Sequence, residues 1–74
     1  MGNVKKQLFE MLKKDAEAQK SRALLTLELL SKHAAGIGDH STGDFYKNAE
    51  EALQNLVDAD DKLETLEKYE IYFN

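Results

Sequence analysis

Two imidazoles and a carboxylate stand close together at His33, Asp39 and His40. Two imidazole nitrogens and one carboxylate oxygen could hold zinc or another divalent ion. Their spacing, however, matches no known ligand motif. The plainer reading puts His33 at a helix end, lets Asp39 bond the backbone of a turn and leaves His40 in solvent, so no metal is expected. Gly36-Ile37-Gly38 between them is too short for a dinucleotide loop, which also needs a strand before it and a helix after it. An anion at the start of the following helix would be repelled by Asp39 and Asp44. Ser21, Ser31 and Ser41 have no base placed to activate them. These residues predict neither an enzyme nor a cofactor.

Charged residues offer two further candidates. Lys6, Lys13 and Lys20 recur every seven residues, with Lys5, Lys14 and Arg22 nearby. Such a stripe could contact nucleic-acid phosphates, which makes a nucleic-acid-binding accessory the second functional reading. Against it stand the net charge of −4 and an acidic second half of the chain. A solvated flank that pairs with acids ranks first. Asp58, Asp60, Asp61 and Glu64 lack the glycine and alternating ligand positions of a calcium loop, and on a helix they spread over different faces.

The elements that must carry these residues are set by a spacing pattern. Phe9, Leu12, Ala16, Gln19, Ala23, Thr26 and Leu30 recur at alternating steps of three and four, and none is charged. Beyond Gly36-Ile37-Gly38-Asp39-His40, the residues Phe45, Ala49, Ala52, Leu56, Ala59, Leu63 and Leu66 repeat the pattern. Such spacing is the seam of a coiled-coil-like helix. Two seams joined by a glycine loop predict an all-α antiparallel two-helix hairpin, one domain over residues 1–74. The first helix is expected over about 3–35, the loop over 36–41 and the second helix over about 42–70. Asn3 is the expected N-cap, Gly36 the stop, and Ser41-Thr42-Gly43-Asp44 a capping box with Asp in place of Glu. Lys32 and His33 suit the negative end of the first helix. The apolar tail Ile71-Tyr72-Phe73 either frays or docks on the start of the first helix.

Charge divides at the loop. Residues 1–35 carry seven Lys/Arg against four Asp/Glu, and residues 36–74 carry three against ten. Folding at the loop puts residue i near residue 77 − i, which places Lys13 by Glu64 and Lys20 by Asp58. Exposed pairs of this kind contribute only about 0–1 kcal/mol each, so they select the antiparallel arrangement more than they stabilise it.

With 74 residues, no cysteine and no proline, the chain has neither a disulfide nor a thiolate metal site. A single core of this size contributes roughly 3–5 kcal/mol at most, which makes self-association the expected remedy. Leu24, Leu25, Leu27, Leu29 and Leu30 surround most of their helix, and one partner helix covers one side only. With Tyr69, Tyr72 and Phe73 they are the candidate oligomer interface, and a dimer forming a four-helix bundle is favoured. A further protein partner could use the same helix faces. No apolar run is long enough to span a membrane. No signal peptide is expected at the N-terminus, and Lys6 stands where a myristoylation signal wants Ser or Thr. A cytoplasmic location follows as the default.

The chain also resembles small helical-hairpin proteins of T4-like bacteriophages, notably marine ones. The resemblance rests on Gly36-Ile37-Gly38-Asp39-His40-Ser41, on Asp58-Ala59-Asp60-Asp61-Lys62-Leu63-Glu64-Thr65-Leu66 and on the aromatic end, and it covers roughly residues 23–73. The family loop usually reads Gly-Ile-Gly-Glu-His, so Asp39 is a shortened acid. The resemblance implies a phage-encoded protein acting in the host bacterial cytoplasm and carries over no catalytic or binding residue. The combined expectation is a non-enzymatic oligomeric interaction or structural accessory protein.

Overall fold

The computed structural model describes residues 3–34 and 42–74. Helix α1 runs Val4–Ala34 and helix α2 runs Thr42–Lys68. A short 3-10 turn, Glu70–Phe73, follows. The two helices pack along their lengths in antiparallel sense, as the contacts of Phe9 with Phe73, Lys20 with Asp60 and Gln19 with Asn55 require. The predicted hairpin is therefore the observed fold. The predicted stop at Gly36, the capping serine Ser41 and the His33–Asp39–His40 group have their loop residues or side chains outside the described residues.

Asn3 starts α1 as expected, because its carbonyl accepts the first helical bond, from Gln7 N–H at 2.8 Å. No proline interrupts either helix. Thr26 and Ser31 are weak helix formers, and each donates its hydroxyl to the carbonyl four residues back, Arg22 and Leu27 respectively.

The seam forms the core, and its character comes from alanine. The buried apolar residues are Phe9, Ala16, Ala23, Ala52 and Ala59, the last with no exposed surface at all. Half-buried Gln19, Leu30, Phe45, Ala49, Leu56, Leu63 and Leu66 complete the seam, while Leu12 and Thr26 stay exposed. Small side chains at a helix contact let the axes come to the near end of the usual roughly 8–10 Å range. Each methyl buried this way contributes only about 0.8 kcal/mol. The result is a narrow rod with principal extents of 58 × 18 × 14 Å. Its radius of gyration of 16.8 Å exceeds the roughly 11 Å of a compact chain of this length.

The tail docks rather than frays. The chain leaves α-helical form after Lys68, Tyr69 N–H closes on Thr65 O at 3.0 Å, and the 3-10 turn redirects the chain. Phe73 then lies on Phe9 with ring centroids 5.3 Å apart and a 54° tilt, within the favourable range for aromatic pairs.

Candidate functional site: the two exposed faces of the hairpin

On a helix, residues one step before and one step after a seam position lie on opposite flanks of the seam. Because the helices are antiparallel, the residue after the seam on α1 and the residue after the seam on α2 lie on the same face of the hairpin. Lys20 and Asp60 are such a pair, following Gln19 and Ala59, and their Nζ–Oδ1 separation is 3.2 Å. The residues before the seam form the other face. There Gln19 Nε2 donates to Asn55 O at 3.0 Å, and Lys62 Nζ donates to Gln19 Oε1 at 2.8 Å. We call these the ion-pair face and the amide face.

This geometry corrects one expected contact. Lys20 pairs with Asp60 and not with Asp58. The fold-back rule gives the level along the rod, but Asp58 is two residues, about 200°, round α2 and belongs to the amide face, where Gln54 Nε2 donates to its Oδ1 at 2.9 Å. The expected Lys13–Glu64 pair is absent among the described residues, whose other ion pair joins Lys32 to Glu28 one helical turn away.

The lysine stripe lies on the ion-pair face. Lys20 is engaged by Asp60. Lys13 lines a hollow of about 410 Å³ together with Phe9, Glu17, Leu63, Leu66, Glu67 and Glu70. Lys6 sits farther toward the α1 start, beside the C-terminal Phe73 and Asn74. Two of the three lysines thus stand among carboxylates, which opposes phosphate binding. Among the described residues no three His, Cys, Asp or Glu side chains gather to hold a metal, and no helix is long and apolar enough to cross a membrane. Ser31 spends its hydroxyl on the helix backbone.

The large apolar side chains are mostly outside the core. Leu24, Leu25 and Leu29 are about half exposed, Leu27 and Leu30 are half-buried, and Tyr69 and Tyr72 are exposed beside one another with ring centroids 5.9 Å apart. Of the candidate interface residues, Phe73 is half-buried against its own chain. The leucines divide between the faces. Leu24 and Leu27 follow seam positions and lie on the ion-pair face. Leu25 and Leu29 precede seam positions and lie on the amide face, as do exposed Leu8 and Met11.

Helix α2 adds two residues that the sequence reading did not assign to an interface, Leu53 and Val57. Tyr46, Leu53 and Val57 are exposed and follow the seam residues Phe45, Ala52 and Leu56. They share the ion-pair face with Leu24 and Leu27, in the loop-proximal half of the rod, with Leu53 at the level of Leu24. The signal was present as a second heptad, one residue out of step with the first. The amide face of α2, by contrast, is polar throughout: Asn48, Glu51, Asn55, Asp58, Lys62 and Thr65.

Compared with protein-family models, curated proteins and solved structures, the chain matches none.

Proposed function

We propose that the protein is a non-enzymatic, self-associating helical module whose exposed apolar rows are its working surface. One observation carries the reading: the core is built from alanines while leucines, a valine and tyrosines stay in solvent. Leucine is worth roughly 1.5–3 kcal/mol when buried, so a lone hairpin leaves its largest hydrophobic contribution unused. Association of two hairpins into a four-helix bundle is the packing that uses it. The outer rows left by such a bundle would serve a protein partner, in the manner of an accessory protein. The resemblance to phage hairpin proteins fits this reading and adds a setting, the cytoplasm of an infected bacterium.

One hollow lies along α1 alone, between Asn3 and Asp15, and others follow the groove between the helices, the most apolar of them lined by Leu12, Ala16, Thr65 and Leu66 beside Asp15, Asp61 and Lys62.

Size-exclusion chromatography with light scattering at micromolar concentration tests the proposal. The expected result is a dimer or larger species of full helicity. A fully helical monomer of 8.4 kDa overturns it.

A further inference from the structure

The reading above leaves open which face is used and in which orientation. We propose that the ion-pair face is the docking surface for a second copy of this chain, and that the two copies lie parallel, with their Ala34 ends together and each α1 resting on the partner's α2. The proposal rests on the self-association read above and goes further by fixing the surface and the symmetry.

Three observations carry it. The first is area. The chain exposes 5946 Å², whereas a compact monomer of this mass exposes about 4,600 Å². The excess, about 1,300 Å², is larger than the roughly 800 Å² per partner of a standard stable interface, so one broad face of the rod is enough surface for a dimer.

The second is composition. The ion-pair face carries large apolar side chains on both helices in its loop-proximal half, Leu24 and Leu27 on α1 and Tyr46, Leu53 and Val57 on α2, with exposed Glu50 the one charge among them. The amide face is apolar on α1 alone. Only the ion-pair face offers a patch wide enough to receive two helices.

The third is charge. Away from the patch, α1 presents Lys6, Lys13 and Lys20 on this face, with Glu10 and Glu17 between them as the two acidic exceptions. Helix α2 presents Asp60, Glu64 and Glu67 and no cation. A two-fold axis along the rod lays α1 over the partner's α2 at the level it already keeps with its own. Leu24 then meets Leu53, Lys13 and Lys20 come to the acidic stretch from Asp60 to Glu67, and Glu50 comes to the level of Leu27. A two-fold axis across the middle of the rod lays α2 on α2 and sets that whole acidic stretch over Leu53 and Val57, burying more charge against apolar surface, which is costly. Complementary charge thus selects the parallel arrangement.

The chain has no cysteine, so single-cysteine variants report one position each. Leu24→Cys and Val57→Cys, one carrying a size tag, are mixed, allowed to exchange subunits and treated with a short thiol cross-linker. Leu25→Cys on the amide face is the control. The expected product is the mixed Leu24–Val57 species, in excess of both like-with-like species, with little cross-linking at Leu25. Predominant Leu24–Leu24 and Val57–Val57 products, or predominant Leu25 products, overturn the proposal while self-association stands. A dimer by light scattering that yields no product at Leu24 or Val57 also overturns it. A helical monomer overturns both this proposal and the reading on which it rests.

Discussion

At the scale of single residues, the hairpin is governed by what alanine permits. Ala59 has no exposed surface and Ala16, Ala23 and Ala52 nearly none, so the helices meet almost backbone to backbone. A larger side chain there has no void to enter and must push the helices apart. Ala59→Leu should therefore destabilise the fold by about 1–3 kcal/mol, the usual cost of overpacking, although leucine is the more hydrophobic residue. Urea unfolding followed by circular dichroism reads this as a lower midpoint, and an unchanged or raised midpoint contradicts the close-contact seam. The Lys20–Asp60 pair belongs at the other end of the range. Its side chains are 43% and 55% exposed, so Lys20→Ala should cost no more than about 1 kcal/mol, with the difference shrinking as salt is added. A loss of several kcal/mol would mean that Lys20 is more deeply engaged than one surface pair.

At the scale of elements, the question is how the rod closes its open end. Phe73 is brought back by the 3-10 turn after α2 and covers Phe9, the aromatic among the fully buried seam residues described. Phe73→Ala should uncover Phe9 and lower stability by about 1–3 kcal/mol, below the roughly 3–5 kcal/mol of a fully buried phenylalanine, because Phe73 is itself only half-buried. Hydrogen exchange should show the loss concentrated in the first turns of α1 and the last turns of α2. Uniform exchange along both helices would count against the tail as a local clasp. Both helices and their antiparallel sense were legible in the sequence because the seam repeats at a helical period and a glycine pair interrupts it. Which of the two expected courses the tail takes, fraying or docking, was not, since a 3-10 turn of four residues has no period to detect. Nor was the identity of the lysine's partner. Counting back from the loop gives height along a rod, whereas the choice between Asp58 and Asp60 is one of angle round it. Exposed Leu53 and Val57 went unassigned because a seam search keeps one row of each helix and discards its neighbours.

At the scale of the whole molecule, charge and concentration are the two controls. Net charge is −4, and the lysine stripe runs beside an acidic helix, so the rod as a whole repels a polyanion. No mobility shift is expected with single- or double-stranded DNA at about 50 mM salt, where phosphate contacts would be strongest. A shift that weakens steeply with added salt would return the stripe Lys6, Lys13 and Lys20 to consideration. Concentration is the sharper test of the proposed self-association, because any fold that a second copy completes is stabilised by mass action. Unfolding enthalpy is about 0.7 kcal/mol per residue near 60 °C, or about 100 kcal/mol for two chains of this length. A dimer that unfolds directly to separate chains should then lose about 5 °C in Tm for each tenfold dilution. An independent monomer loses nothing on dilution. Leu53→Glu places a charge in the exposed apolar patch without touching the alanine seam, so its effect separates the two cases. In a dimer it should lower both Tm and its dependence on concentration. In a monomer a substitution at so exposed a site leaves Tm within about 3 °C and independent of concentration, because surface changes of this kind stay near ±0.5 kcal/mol.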